Sequence, residues 1–548
     1  MRLTELLFKD TRTSVKRLGL MAIVAGASSA AILAVVNAAA QAPNDNGTRF
    51  YSILLFGAAL LAYVFSQKYV LVVTTDEVER IVDERRRGLI SKLAHCELLG
   101  VEKIGHGVIF TAINSDTQTI SQTAGSLILG VQAIILMFWT AIYLAVLSLP
   151  TLGLVVVVLL IAARIYRQKI ASARKELRRA HEEITGLHEI VEGLLGGFKE
   201  VKLSSRRAAE LLAEAMHISE RTAFFRSKAQ RALAANFIFS QLAIFVLLGT
   251  LVFVLPELST TFAGITVKSL TAVLFLVGPI SGIISSVPQI TIANAAAENL
   301  LALEVLLNKH AEAHQTAVVE SEAGWSNKHF QTLELRRLHF SRGEGSENFV
   351  VGPINLTIRA GETIFLTGGN GSGKTTFIKM LTGLYPADSG EIIVDGKLVK
   401  KFDMQHYRDM FAAVFADFHL FAKLYGVDDI DPSRGAEMIS QMELEDKINL
   451  EAHRFSSVDL STGQRKRLAL VAAELEKKPI LILDEWAADQ DPHFRAKFYE
   501  TLLPRLKADG ATVIAITHDD KYFHLADRRL HMEDGNIIEP PRRVPVYG

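Results

Sequence analysis

The sequence predicts a chain of two parts. Residues 1–307 form an all-α membrane domain of six spanning helices, and a polar linker, 308–331, joins it to an α/β P-loop domain, 332–548. Three observations predict this. Apolar residues crowd before about residue 290 in runs near the ~20 residues a helix needs to cross a bilayer. Beyond the linker the apolar runs shorten to strand length and alternate with helical segments, the pattern of a largely parallel sheet. One of those strands runs straight into a glycine-rich, lysine-containing loop.

The six apolar runs lie at Leu18–Ala38, Phe50–Val73, Ala124–Leu147, Thr151–Ile165, Asn236–Leu255 and Val267–Val287. Only Ser148-Leu149-Pro150 separates the third from the fourth, which predicts a tight helical hairpin. Lys and Arg gather at the N-terminus (Arg2, Lys9, Arg12, Lys16, Arg17) and after the second and fourth runs (Arg80 and Arg85–Arg87; Arg164–Arg179). The first external loop has only Arg49. By the positive-inside rule the N-terminus is cytoplasmic, and six crossings return the C-terminus to the same side. The small-residue run Asn37–Ala42 imitates a signal-peptide cleavage site, but the basic loops favour an uncleaved first span.

Two charged excursions, about Thr74–Thr123 and Arg164–Arg231, read as helices continuing past the membrane. Gly105-His106-Gly107 and Gly196-Gly197 interrupt them and are expected to set short cross-helices at their tips. Charge over the 548 residues balances to zero, so no nucleic-acid partner is expected. The single cysteine, Cys96, excludes an internal disulfide and is expected in a charged helix as an uncatalytic thiol.

Gly368-Gly369-Asn370-Gly371-Ser372-Gly373-Lys374-Thr375 fits the P-loop pattern in full, and Thr376 follows directly. It comes after the strand Thr363–Leu366 and opens a helix, so backbone N–H groups and the helix dipole converge on a phosphate. Lys374 reaches the β- and γ-phosphates of ATP, and the Thr375 hydroxyl suits Mg²⁺. A second apolar strand, Ile480–Leu483, ends in Asp484-Glu485. That pair divides naturally into a metal carboxylate, Asp484, and a water-polarising one, Glu485. A Ser/Gly helix start, Ser461-Thr462-Gly463-Gln464, lies between the two motifs and makes a further anion site.

This set resembles the ABC transporters, with Thr462 where the signature usually has glycine. The resemblance implies that Ser461, Thr462, Gly463 and Gln464 meet ATP held by a second subunit, hence a homodimer. It also implies that His518, after the strand Ile514–Ile516, is the switch histidine at the γ-phosphate, and that Asp491 belongs to the D-loop. Two positions depart from the family pattern. Arg342 stands where an aromatic residue usually stacks on adenine, and either stacks instead or is solvated. Ala416 stands where a glutamine is usual, and its neighbour Asp417 is the replacement candidate for metal and water contact.

Gly352–Leu356, Phe415–Phe421, Asp484–Pro492 and Thr517–Phe523 together resemble bacterial cyclic-peptide exporters, including those of microcins and pyoverdine-type siderophore precursors. The likeness extends more loosely to Gly107–Asp116 and Gly197–Lys202. It implies an exporter of a type IV fold, surrounded by inner-membrane lipid, with a peptide or siderophore cargo. Six spans in the same chain count against a soluble ATPase, and the fusion of spans to ATPase counts against an importer. A lipid flippase would share every motif. No protease-like segment precedes the first span, so peptide processing by this chain is not expected.

Overall fold

The computed structural model describes residues 3, 5–6, 15–39, 46–254, 263–311, 330–342, 349–427 and 430–539. Most of the expected linker, and the basic residues Arg2, Lys9 and Arg12, lie outside them. Two compact units emerge. One comprises residues 1–90 and 107–305, the other residues 91–106 and 306–548. The segment 91–106, read from sequence as part of the membrane half, thus belongs with the α/β unit.

The membrane unit is built from α1 (Val15–Ala39) and α2 (Asn46–Ala94), then α4 (Thr117–Leu147), α5 (Leu149–Gly196), α7 (Ser205–Gly249) and α8 (Ala263–Lys309); α3 (Leu98–Ile104) and α6 (Phe198–Lys202) are short. Except that Leu255, the end of the fifth, lies outside the described residues, all six expected spans fall on helices long and apolar enough to cross a membrane. Most overrun it. At 1.5 Å per residue the 49 residues of α2 reach about 70 Å, roughly twice a bilayer core. α8 runs two residues into the expected linker. The fourth span, the shortest in sequence, is the start of the 48-residue α5.

Local chemistry explains the turns. Ser148 is extended (φ −164°, ψ 111°), and its hydroxyl accepts from Thr151 N, while Pro150 occupies the first turn, where no N–H is needed. Gly105, at φ 87°, ends α3, and Gly197 separates α5 from α6. Both glycine interruptions therefore delimit the short helices predicted there. Cys96 does not sit in a helix, contrary to expectation: it lies in the break between α2 and α3, bridged to Ala311, with its thiol against His310 O. The membrane unit buries a cluster around Leu144, Val155, Leu247 and Val273, while many large apolar side chains such as Phe50, Ile53 and Phe245 stay exposed.

The α/β unit has two main sheets. An antiparallel sheet joins β1 (Thr332–Arg342), β2 (Phe349–Arg359), β4 (Ser389–Val394) and β5 (Lys397–Leu398) in the order β2-β1-β4-β5. The second is ordered β12-β11-β3-β10-β9-β6. It contains β3 (Thr363–Gly368), β6 (Phe411–Val414), β9 (Ile480–Asp484), β10 (Thr512–Ile516), β11 (Arg528–Glu533) and β12 (Asn536–Ile538), and only β12 is antiparallel to its neighbour. A small hairpin, β7 (Leu450–Glu451) with β8 (Arg454–Phe455), lies apart. Every residue of β3, β9 and β10 is buried, as continuous apolar strands covered on both faces should be. The register pairs Leu366 with Ile516 and Ile516 with Asp484, so three chemistry-bearing loops leave one carboxyl edge of the sheet together. Ligands of open α/β sheets bind at that edge.

Candidate functional site

The P-loop follows β3 and turns into α9 (Lys374–Leu381), so Lys374 is the first residue of the helix. Gly368, Gly371 and Gly373 all have positive φ, at 149°, 78° and 104°. At Gly368 a Cβ would also lie 2.3 Å from Met532 O, so glycine is required twice over. Lys374 is buried, and its ammonium donates to the carbonyls of Gly368 (3.0 Å) and Gly369 (2.9 Å). The Ser372 hydroxyl is shielded from water with no hydrogen-bond partner among the described residues. An orphaned donor and an ammonium resting on loop carbonyls fit a phosphate, which would accept from both.

The Thr375 hydroxyl donates to Asp484 Oδ2 at 3.3 Å. Asp484 is 1% exposed. Burial, with Glu485 and Asp417 adding like charge, pushes its carboxyl above the usual range despite hydrogen bonds from Ala416 N–H and Thr375. A buried carboxylate beside a hydroxyl fits Mg²⁺, which takes one or two protein oxygens and fills its shell with water and phosphate. Asp417 itself is exposed, on the loop after β6.

Glu485 adopts the left-handed conformation at φ 49°, uncommon for a side chain other than glycine, asparagine or aspartate. The bend turns its carboxylate off the strand and toward His518, whose Nε2 lies 3.6 Å from Glu485 Oε1. The Glu485 peptide is anchored from an unexpected side. Lys466 of α10 (Thr462–Leu475), itself buried, donates to the Glu485 carbonyl at 2.8 Å and pairs with Asp489 at 2.7 Å. Trp486 Nε1 donates back to Lys466 O at 2.7 Å.

Ser461 caps α10, accepting from Gln464 N, and remains exposed. A Cβ on Gly463 would lie 2.8 Å from Asp489 O, so this glycine allows the helix start to approach the segment after β9. Gln490 ties the two together, donating to Gly463 O (3.1 Å) and accepting from Arg467 Nε (2.8 Å). Asp491 caps α11 (Pro492–Lys497) by accepting from Phe494 N and pairs with Arg467 at 2.7 Å. Hydrogen bonds from the Phe494 backbone, with Arg467 nearby, hold its carboxyl below the ordinary range. No hydrogen bond or ion pair among the described residues joins Ser461, Thr462 or Gly463 to the P-loop of the same chain.

Arg342 ends β1 and is neither free nor simply solvated. Its guanidinium meets Glu102 at 3.2 Å and Tyr385 OH at 3.2 Å, and lies 5.9 Å from the Tyr385 ring centroid. Tyr385 in turn stacks on Phe340, and Lys379 of α9 also reaches Glu102 at 3.2 Å. Burial alone would raise the Glu102 carboxyl, but bonds from Tyr385 and Lys379 outweigh it and hold the group low. Glu102, Tyr385, Lys466 and Gln490 were missed from sequence. The positive charges in the run Arg465-Lys466-Arg467 were the only visible signal, and such runs usually face water.

A P-loop and a strand-end acid pair on one sheet, with a capped Ser/Gly helix and, among the described residues, six helices of membrane-spanning length, define a membrane-bound P-loop ATPase. Residues 351–488 match the family described as ABC transporter. The "ATP-binding protein SyrD" of Pseudomonas syringae pv. syringae is 33% identical over 536 residues, spanning 95% of this chain and 93% of that one. An "ATP-dependent lipid A-core flippase" of Pectobacterium atrosepticum is 27% identical over 84% of this chain and 80% of its own length. A solved structure, a bacterial Atm1-family ABC exporter with ATP bound, superposes with a TM-score of 0.77 at 16% identity and covers 96% of this chain and 95% of its own. This chain belongs to the ABC transporter family and has the Atm1-type fold. It is an ATP hydrolase coupled to transport, a multi-pass inner-membrane protein with its ATPase domain in the cytoplasm.

Proposed function

We propose that this exporter moves a cyclic or otherwise constrained peptide, of the microcin or peptide-siderophore type, outward across the inner membrane. The observation that carries the reading is the resemblance of Phe415–Phe421, Asp484–Pro492 and Thr517–Phe523 to cyclic-peptide exporters. A cavity of about 560 Å³ in the membrane unit supports it. Its walls, from α4, α5, α7 and α8, are apolar except for groups such as Tyr166, Arg167 and Ser240. That volume is within the ~300–1,000 Å³ of small-molecule sites, and the lining suits a compact ring with internally paired amides better than an extended charged chain.

Two copies close head to tail in this reading, each ATP lying between one P-loop and the partner's Ser461–Gln464 segment. Lys374 and the loop amides hold the phosphates, Glu485 takes a proton from the attacking water, and His518 orients Glu485 and meets the γ-phosphate. Mg²⁺, held by Thr375 and Asp484 with Asp417 beside them, would neutralise charge on the transferring phosphoryl group. ATP favours the closed pair, which turns the cavity outward, and hydrolysis resets it.

The similarity to lipid A-core flippases favours a second reading, an ATP-driven lipid flippase. Inside-out vesicles separate the two. ATP should drive a cyclic peptide into the lumen, and the Glu485→Gln protein should not. Flipping of a lipid while a panel of cyclic peptides neither moves nor stimulates hydrolysis would replace the peptide reading with the flippase one.

A further inference from the structure

A second, smaller cavity of about 250 Å³ lies among α1, α2, α4 and α8 in the membrane unit. Its walls include Gly26 and Ser29 of α1, Tyr63 and Gln67 of α2, Gln132 of α4 and Gly282 of α8. Helix packing keeps the wall at Gly26 bare, because a Cβ there would lie 2.7 Å from Ile135 Cγ2.

Two glutamines on spanning helices are costly in hydrocarbon unless every polar atom is met. Gln67 Nε2 donates to Gln132 Oε1 at 2.9 Å, which satisfies one half of the Gln132 amide. The other half, Gln132 Nε2, is shielded from water and has no hydrogen-bond partner among the described residues. A pair kept only to fasten α2 to α4 would work as well with a shorter or singly polar side chain. What distinguishes this pair is a spare N–H donor on a residue that lines a cavity also walled by Ser29 and Tyr63.

We propose that this cavity is a cargo subsite, in which Gln132 Nε2 donates to a backbone carbonyl oxygen of a peptide ring while Gln67 holds the amide in place. The inference rests on the peptide-export reading and names where that cargo is recognised. A purely hydrocarbon passenger would leave the amide unmet. A carbonyl-bearing one meets it, in a medium where a single hydrogen bond discriminates strongly.

The test uses the full chain in phosphatidylcholine nanodiscs, without nucleotide, and measures equilibrium binding of tritiated cyclo-(Leu-Ala)3. Gln132→Met removes the donor and keeps the length of the side chain. The double variant Gln67→Leu/Gln132→Leu removes both partners, a change that need not destabilise because neither group is then left alone. Both should raise the peptide's dissociation constant about tenfold, the equivalent of one hydrogen bond of ~1.4 kcal/mol. The cargo-free thermal midpoint of the double variant should equal or exceed that of the parent. Binding within twofold of the parent in both variants overturns the subsite and leaves peptide export standing. A parent that binds no cyclic peptide, yet binds tritiated phosphatidylglycerol and loses it in Gln132→Met, overturns both, since the carbonyl recognised is then a lipid ester.

Discussion

Lys466 Nζ lies 2.8 Å from the backbone carbonyl of Glu485, so the helix opened by Ser461 directly supports the residue assigned to activate water. The lysine is 4% exposed and also pairs with Asp489. Lys466→Met would leave both oxygens without their cationic partner, and a lost charge-assisted hydrogen bond costs about 1.5–3 kcal/mol. The α/β unit should unfold several degrees lower, and ATP turnover should fall at least tenfold while ATP binding persists. Calorimetry and a steady-state phosphate-release assay check the two effects.

Glu485 is held in a left-handed conformation 3.6 Å from His518, and its own carboxylate is the group that would take the proton. Glu485→Gln keeps shape and polarity but removes the base. A general base contributes roughly 10²–10⁴-fold, so turnover should drop by at least about a hundredfold. ATP affinity should be preserved and a closed, nucleotide-bound dimer should accumulate. Near-normal turnover would end the assignment. Lys374→Ala should act differently, weakening nucleotide binding itself.

The motifs that read clearly from sequence are those whose chemistry is local. A P-loop needs only consecutive residues after a strand, and Asp484-Glu485 needs only the strand before it. The six spans are equally local, because twenty apolar residues make their own case. What stayed illegible depends on distant partners. Glu102 and Arg342 are 240 residues apart and Gln67 and Gln132 are 65 apart, and no periodicity announces either pairing. Lys466 carries no sequence signal of burial, because its partners Trp486 and Asp489 come from the segment after β9. The segment 91–106 groups with the α/β unit for a related reason. Leu98 and Leu99 pack on the α/β core, a contact that helical spacing cannot reveal.

Arg342 offers a prediction with opposite signs in two variants. Its guanidinium is held by Glu102 and Tyr385, and a role at adenine requires it to leave the acid. Arg342→Ala should raise the apparent ATP constant about two- to fivefold, since a cation over a ring contributes ~0.5–1 kcal/mol. Glu102→Gln should lower that constant by freeing the guanidinium. Nucleotide titrations of both variants decide it. Unchanged constants in the pair would confine Arg342 to its bond with Glu102.

Glu474 gives a pH signature. Burial pushes its carboxyl up to about 7 despite the adjacent Arg505. A raised acid binds its proton more tightly folded than unfolded. Its stabilising contribution is therefore complete below about 4.5, the ordinary value of a glutamate, and is lost as pH rises through about 7. The shift corresponds to something on the order of 3 kcal/mol. Thermal midpoints of the α/β transition should fall between pH 5 and 8, and Glu474→Gln, which cannot titrate, should flatten that slope.

The proposed assembly makes the last prediction. Within one chain the P-loop and the Ser461 segment share no hydrogen bond or ion pair among the described residues, although both are built to face an anion. Ser372 Oγ has no hydrogen-bond partner among the described residues at one, and Ser461 is exposed at the head of α10 at the other. If each completes the other across two copies, defects in them should complement. A chain with Lys374→Ala loses its own P-loop but keeps an intact Ser461. A chain with Ser461→Arg keeps its P-loop and carries a bulky side chain where the partner's phosphate would sit. Each homodimer has two damaged sites. A heterodimer concentrates both lesions in one site and restores the other. Co-reconstitution at equal amounts yields about half heterodimers by random pairing. ATP hydrolysis should then recover to roughly a quarter of the unmutated rate if one site works independently, and to a lower rate, still above that of either parent variant, if the two sites are coupled. Differently tagged copies, purified through both tags, give the heterodimer alone and fix which of these holds. Activity no higher than that of either parent variant, with heterodimer formation verified by native mass measurement, would mean that each chain completes its own nucleotide site.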